Sequence, residues 1–213
     1  QAGGQAGRAP FVVGPVDLVL YPGERVLVVG ANGSGKSTLL RGLTGLYPPH
    51  CGTIRRDGRP VTDAERPAYR SLFSSVFTDR EQPLGLAALS EQEAVALTHF
   101  APASCRRFQT DRPGSSTPEH ALSRSERTRR AVARALLSQR PITVFDDILA
   151  GQDIDFRRCF YAEILAALSR AGRTAVLVSH DEGFDQTADR VLEVCRGVVV
   201  ERTRAPSSEA PTP

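Results

Sequence analysis

The sequence contains no methionine and no tryptophan, and Lys36 is the single lysine among its 27 basic residues. Because arginine is so abundant, an arginine at any one position indicates little about function. The lone lysine is more informative, since arginine does not replace a compact ammonium group at every site. Without a methionine even at position 1, the 213 residues are expected to be part of a longer chain.

Features that would indicate other classes of protein are missing as well. No apolar run approaches the roughly 18 residues that span a bilayer, and there is no signal-peptide core. The net charge of +3 provides no basic stripe, so we expect no nucleic-acid partner. The cysteines are far apart and form no Cys-x-x-Cys pair, which predicts neither a zinc site nor a disulfide framework; they are Cys51, Cys105, Cys159 and Cys195.

Short apolar runs alternate with helical segments along most of the chain. "RVLVVG", "SLFSSVF", "PITVFDD" and "RTAVLVSH" predict buried strands, and "VDLVL" and "TIRR" predict shorter ones. This alternation predicts an α/β fold with a mostly parallel central sheet that is covered on both faces. We expect a linker or truncated first strand at 1–10, one domain at 11–202 with an irregular insertion near 80–119, and a disordered tail at 203–213.

The segment "GANGSGKST" matches G-x-x-x-x-G-K-[ST] and lies between an apolar strand and a helix. In this motif the backbone N–H groups surround phosphate oxygens, the lysine reaches the β- and γ-phosphates, and the serine hydroxyl binds Mg²⁺. A glycine-rich turn without a ligand is the alternative, but the flanking elements and the single lysine favour a phosphate loop. The candidate nucleotide-binding residues are Gly30, Ala31, Asn32, Gly33, Ser34, Gly35, Lys36, Ser37 and Thr38.

Three polar residues follow buried strands at the edge where open α/β sheets bind ligands. Asp146 is placed to hold Mg²⁺, and Asp147 is placed to act on the attacking water. His180 ends another apolar strand, where it would contact a γ-phosphate. Two acids that merely cap the next helix, and a structural histidine, are the alternatives.

The stretch "LSRSE" contains Ser-x-x-Glu, which predicts a capping box at the start of a helix. Four arginines lie in or near the first turns of this helix, Arg124, Arg127, Arg129 and Arg130. Positive charge is unfavourable at a helix N-terminus. The arginines therefore suggest that an anion approaches this end of the helix.

In their order along the chain, these motifs resemble the ATP-binding cassette (ABC) ATPase domain of ABC transporters. The likeness covers roughly residues 11–202 and includes "GLYPPHCGTIRRDGRP" and "HDEGFDQTADRVLEVCRG". It implies the P-loop ABC ATPase fold, with a small antiparallel β-subdomain and a short helical subdomain at about 80–130. A narrower likeness, in "LFSSVFTD", "SSTPEHALS" and "VFDDILAGQD", is to the branch that exports cyclic peptides and peptide siderophores.

The resemblance implies ATP and Mg²⁺ as cofactors and a second cassette as partner, in a head-to-tail dimer. Ser123 and Ser125 would then face the partner's ATP, Asp153 would contact the partner, and Asp79 would bind metal. Asp147 and His180 would be the catalytic residues. A transmembrane domain is expected upstream in the same chain, which places the cassette at the cytoplasmic face of a bacterial inner membrane.

Several residues depart from the family pattern. Ser125 and Glu126 stand where the family has glycine and glutamine, and Asp147 replaces the usual glutamate. The shorter aspartate withdraws its carboxylate by roughly 1.5 Å. These departures support a second hypothesis, a cassette that binds ATP and dimerises but barely hydrolyses it. The aromatic residue that stacks on adenine is expected upstream of Phe11.

Two further classes of protein are disfavoured by the sequence. A soluble ABC ATPase acting on DNA or ribosomes is disfavoured by the charge, and residues 80–119 supply no long coiled coil. A P-loop GTPase is disfavoured because Asn-Lys-x-Asp, which reads guanine, needs a second lysine.

Overall fold

The computed structural model describes residues 11–77, 123–180 and 185–202. Its centre is a six-stranded sheet, formed by β1 (Arg25–Val29), β4 (Phe73–Phe77), β5 (Ile142–Asp146), β6 (Thr174–Val178), β7 (Arg190–Cys195) and β8 (Val198–Arg202). Across the sheet the strand order is β4-β5-β6-β1-β7-β8. The first five strands in this order are parallel, and β8 returns antiparallel to β7. The predicted mostly parallel α/β sheet is therefore confirmed.

Helices connect the parallel strands and cover the sheet. They are α1 (Lys36–Leu43), α2 (Arg66–Arg70), α3 (Arg124–Leu137), α4 (Ile154–Cys159) and α5 (Leu165–Arg170). A π-helical turn at Phe160–Ile164 joins α4 to α5 without a break, and a 3₁₀ turn spans Asp185–Thr187. Among the described residues, none of these helices combines the length and apolarity that a bilayer crossing requires.

The alternation of side chains along the strands divides the interior into two cores, one on each face of the sheet. Leu27, Phe145 and Leu177 point to the face covered by α3, α4 and α5. Their sequence neighbours Val28 and Val144 point to the opposite face, where α1 and α2 pack. Burial on both faces explains why these strands read as nearly continuous apolar runs.

The smaller predicted strands are only partly observed. "TIRR" contributes β2 (Arg55–Arg56), which pairs antiparallel with β3 (Arg59–Pro60). "VDLVL" was wrongly predicted as a strand, because residues 16–20 have no regular structure. Leu18 and Leu20 still pack against the core on the α1 face. The apolar alternation is therefore real, but within the described residues this backbone has no strand to pair with.

The expected domain boundaries stay predictions. Residues 1–10 and 203–213 lie outside the described residues, as does the expected helical subdomain up to residue 122. The cysteine spacing predicted no disulfide framework, whereas Cys159 is disulfide-bonded. Cys51 and Cys195 are free. Distant positions in sequence do not report distance in the fold.

Candidate nucleotide-binding site

The predicted phosphate loop leaves the carboxyl end of β1 and leads directly into α1. Gly30 has φ 145° and Gly35 has φ 112°, both in the region that favours glycine. A Cβ at Gly30 would lie 2.2 Å from the Val194 carbonyl oxygen, and one at Gly35 would lie 2.7 Å from Val13 Cγ2 and 3.1 Å from Phe11 Cε1. The glycines are therefore required by both backbone angle and space.

The start of α1 is open to an anion. Its N-cap residue, Gly35, provides no side-chain hydrogen bond, and the first turn carries no acidic residue. The first N–H groups of a helix have no intrahelical acceptor, and the helix dipole adds a favourable field for negative charge. Ser37 and Thr38 lie in this first turn and are half-buried. The backbone here has the form that binds phosphate.

A buried hydroxyl in the loop has no partner among the described residues. Ser34 is 6% exposed, and its Oγ makes no hydrogen bond. An unsatisfied buried hydroxyl costs about 1–3 kcal/mol. One buried hydroxyl of the loop therefore stays unsatisfied among the described residues.

Lys36 is 7% exposed and folds back over the loop that precedes it. Its Nζ donates to the carbonyl oxygens of Gly30 at 2.7 Å and Ala31 at 2.9 Å. Burial lowers the pKa of Lys36, and the negative charges of Asp147 and Asp146 oppose that shift. The ammonium group is thus held at the loop, within the field of both aspartates.

The two aspartates stand at the end of β5. Asp146 is its last residue and is 3% exposed. Asp147 has φ 54°, and its N–H donates to the Val178 carbonyl oxygen at 3.2 Å on the neighbouring strand β6. Aspartate is several-fold enriched in this left-handed region. The shorter acid therefore suits the backbone that this position requires.

His180 follows β6, two residues beyond the strand, and is exposed. The preceding residue, Ser179, donates its N–H to the Val28 carbonyl oxygen of β1 at 3.3 Å. The buried Tyr161 donates its hydroxyl to Ser179 Oγ at 2.7 Å. Tyr161 sits in the π-helical turn, a feature often found at functional sites. Its role was not predicted, because helical periodicity does not reveal a π turn.

The predicted capping box at the start of α3 is confirmed. Ser123 Oγ accepts the Glu126 N–H at 3.2 Å, and the Ser123 N–H donates to Glu126 Oε2 at 2.8 Å. These hydrogen bonds lower the pKa of Glu126, with a smaller contribution from the charges of Arg129 and Arg130. Glu126 therefore folds back on its own helix.

Ser125 and Asp153 belong to one cluster of hydrogen-bonded side chains, although 28 positions separate them in the sequence. Ser125 Oγ donates to Gln152 Oε1 at 2.7 Å, and Asp153 pairs with Arg129. Asp153 also caps α4 by accepting the Phe156 N–H at 2.8 Å. The sequence alone did not reveal this contact. In the structure Gln152 is only 4% exposed, although glutamine is usually a surface residue. Asp79 lies outside the described residues.

The described site thus gathers the carboxyl ends of three adjacent parallel strands. β6 lies between β1 and β5, so Gly30, Asp146 and Ser179 emerge at the same edge of the sheet. Among the described residues, no group of three or more His, Cys, Asp or Glu side chains could hold a metal by itself. A phosphate loop after one parallel strand, with an acid at the end of another strand at the same sheet edge, defines a P-loop nucleotide-binding protein.

Comparison with known proteins specifies the family. A family model described as ABC transporter matches residues 13–150. The chain therefore belongs to the ABC transporter family and corresponds to the ATP-binding ATPase domain of that family. It is 39% identical over 195 residues to the ATP-binding protein SyrD of Pseudomonas syringae pv. syringae, covering 89% of this chain and 34% of that protein. It is 34% identical to an ATP-dependent lipid A-core flippase of Alkalilimnicola ehrlichii, covering 90% and 34%.

Solved structures share the fold. The ATP-binding cassette MJ0796 in a post-hydrolysis state bound to ADP and Pi has a TM-score of 0.72 at 24% identity, with 89% of each chain covered. A bacterial Atm1-family ABC exporter with ATP bound also has a TM-score of 0.72 at 24% identity, covering 92% of this chain and 36% of that chain. The chain spans about a third of the length of its first curated relatives.

Proposed function

We propose that this chain is the ATP-hydrolysing motor of a membrane exporter. The observation that carries the proposal is the convergence of the glycine loop, Lys36, Asp146 and Asp147 at one edge of the sheet. Relatives named as a lipid A-core flippase and a macrolide export ATP-binding/permease protein support a role in export. The motifs "LFSSVFTD" and "VFDDILAGQD" support a cyclic-peptide or siderophore-like cargo.

The residues present fit Mg²⁺ as the second cofactor. Mg²⁺ is held in proteins by one or two carboxylates together with substrate phosphates, so a cage of protein ligands is not needed. Asp146 and the Ser37 hydroxyl would hold it, and we include Asp79 as a third candidate ligand. The ion would supply neutralisation of the charge that develops on the phosphates.

The remaining steps are performed by backbone and side-chain groups of this chain. The loop backbone and Lys36 bind and orient the triphosphate. Asp147 accepts a hydrogen bond from the attacking water and turns it toward the γ-phosphate. His180 contacts the γ-phosphate from the end of β6. Together these groups act by positioning and electrostatic stabilisation, which supply most of the catalysis of phosphoryl transfer.

The partner is a second cassette in a head-to-tail dimer. Ser123 and the N–H groups at the start of α3 would meet the ATP bound to the partner, and Asp153 would lie at the interface. Ser123 is exposed, and its own O–H remains available to donate, since within the described residues its oxygen serves as an acceptor. A transmembrane domain in the same chain would place the cassette at the cytoplasmic face of a bacterial inner membrane.

ATP turnover of the wild type beside Lys36→Ala tests this function. We expect the variant to lose about 100-fold or more in kcat/KM, because it removes a cation from the phosphates. Arg41→Ala, on the same helix but outside the loop, is the matched control and should keep most of the rate. A wild-type rate no higher than that of Lys36→Ala would rule out hydrolysis at this site.

The second candidate function is a cassette that binds ATP and dimerises but hydrolyses it poorly, in a regulatory or structural role. Ser125, Glu126 and the short acid Asp147 are the observations that favour it. Asp147→Glu separates the two, since a longer side chain returns the carboxylate toward the water. A marked rise in kcat would identify a weakened base, whereas an unchanged or lower kcat would show that aspartate serves this backbone adequately.

A further inference from the structure

Hydrogen bonds that involve side chains join the start of α3 to the turn after β5. Ser125 lies at the first of these places and Gln152 at the second. Ser125 Oγ donates to Gln152 Oε1 at 2.7 Å, and Gln152 Nε2 donates back to the Ser125 carbonyl oxygen at 3.4 Å. Because Gln152 is 4% exposed, water does not replace these bonds easily. The serine hydroxyl therefore points into its own chain.

Arg129 completes the same connection from one turn further along α3. Its Nε donates to Gln152 Oε1 at 3.0 Å, and its Nη2 pairs with Asp153. The guanidinium also lies over the Phe156 ring, 5.0 Å from the centroid. A planar fork that serves two acceptors and an aromatic face at once is a property of arginine and not of lysine. We call Ser125, Arg129, Gln152 and Asp153 the clamp.

The turn that the clamp holds is short and begins at the proposed catalytic acid. It runs from Asp147 to Asp153, with the Gln152 N–H donating to the Leu149 carbonyl oxygen at 3.1 Å. Gly151 has φ 76°, and Arg157 Nε donates to the Gln152 carbonyl oxygen at 3.1 Å. One end of this turn thus belongs to the chain's own nucleotide site. The other end is fixed to the helix that is expected to meet the partner's nucleotide.

We propose that Ser125 and Arg129 are positioning residues whose contacts with Gln152 and Asp153 hold the start of α3 and the turn 147–153 as one rigid unit. This inference rests on the proposed function, because the unit matters only if both parts act on ATP. The serine at the family's glycine position then has a definite role. Ser125 links the surface that faces the partner to the turn that begins at Asp147. When the dimer closes on the partner's ATP, Asp147 is therefore also positioned in the chain's own site.

Hydrogen exchange and ATP kinetics on the 213-residue chain test the clamp. The variants are Ser125→Ala, Arg129→Lys, Gln152→Leu and the double variant Ser125→Ala with Gln152→Leu. Ser125→Thr keeps the hydroxyl, and Thr128→Ala is the control, since the Thr128 hydroxyl bonds to Arg124 within the same helix. Amide exchange of residues 148–153 without nucleotide reports the turn, and kcat and KM for ATP report its use.

We expect Ser125→Ala and Arg129→Lys to speed exchange of the turn and to lower kcat by about tenfold with KM nearly unchanged, because small displacements of a catalytic group are costly. The double variant should be no worse than Gln152→Leu alone. Ser125→Thr should retain most of the wild-type kcat, and Thr128→Ala should change neither measurement.

Two results would overturn the proposal and leave the proposed function standing. One is an unchanged kcat in both Ser125→Ala and Arg129→Lys, and the other is additive effects in the double variant. A wild type whose turnover equals that of Lys36→Ala would instead remove the proposed function. The clamp would then have no hydrolytic role, even if exchange of the turn still responded to Ser125→Ala.

Discussion

At the scale of single residues, the site depends on positions where another residue type would fit the backbone or its neighbours less well. Gly30 has no room for a Cβ beside Val194. Asp147 occupies a left-handed backbone that aspartate tolerates better than most residues. Lys36 is buried against two carbonyl oxygens, a setting that suits a compact ammonium group. Each of these residues is explained by local geometry before any family is considered.

Ser34 provides a prediction in which stability and binding change in opposite directions. Its hydroxyl is buried without a partner among the described residues, so Ser34→Ala removes an unsatisfied group. We expect the free energy of unfolding to rise by about 1 kcal/mol, while ATP affinity falls about fivefold. Urea unfolding and equilibrium ATP binding measure the two quantities.

Ser138→Ala is the matched control for this prediction, because the Ser138 hydroxyl donates to the Ala135 carbonyl oxygen at 2.8 Å. It should lose a little stability and leave ATP binding unchanged. A loss of stability in Ser34→Ala would show that its hydroxyl is satisfied in the free protein.

At the scale of elements, buried polar contacts connect α3 to β5 and the π-helical turn to the end of β6. Arg173 caps the end of α3: its Nη1 donates to the Leu136 carbonyl oxygen at 2.7 Å and its Nη2 to that of Ala135 at 3.0 Å. The same Nη2 donates to Thr143 Oγ1 on β5 at 3.1 Å. Burial lowers the pKa of Arg173 from its ordinary value. The side chain therefore joins a helix end to a strand inside the core.

Replacing Arg173 should be costly. We expect Arg173→Met to lower the free energy of unfolding by about 3 kcal/mol, because it leaves buried acceptors unpaired. Arg170→Met, at an exposed position on α5, is the control and should cost far less. Urea denaturation of both variants measures the difference, and equal losses would contradict a capping role for Arg173.

The π-helical turn offers a second prediction at this scale. Tyr161→Phe removes the hydroxyl that reaches Ser179, the neighbour of His180. We expect a loss of about 1 kcal/mol in stability and a several-fold lower kcat, with KM for ATP unchanged. Tyr47→Phe, at an exposed position, should have no effect on either quantity. A normal kcat in Tyr161→Phe would show that His180 does not depend on this contact.

At the scale of the whole molecule, some features could be predicted from the sequence and others could not. The runs "RVLVVG" and "PITVFDD" identified parallel strands, because a strand that is buried on both faces contains few polar residues. The glycine loop was recognisable because backbone angle and close packing leave few alternatives. The contact between Ser125 and Gln152 was not predictable, since it joins positions 27 residues apart through a turn whose shape only the fold determines.

Wrong predictions have physical reasons of the same kind. The alternation in "VDLVL" reports that Leu18 and Leu20 are buried, but not whether the backbone finds a partner strand. Spacing of cysteines along the chain did not reveal that Cys159 is disulfide-bonded. Periodicity predicts which face of an element is buried, and pairing depends on neighbours that are distant in sequence.

The central proposal is that this domain and a second cassette complete each other's ATP sites and hydrolyse ATP there. In the purified chain, the second cassette is another copy of the same domain. Specific ATP turnover of the wild-type chain, measured over a range of protein concentrations beside Lys36→Ala, tests it most directly. The proposal requires specific activity that rises with concentration as dimers form, and that Lys36→Ala lowers by about 100-fold or more at every concentration. Activity that is independent of concentration, or that survives in Lys36→Ala, would contradict it.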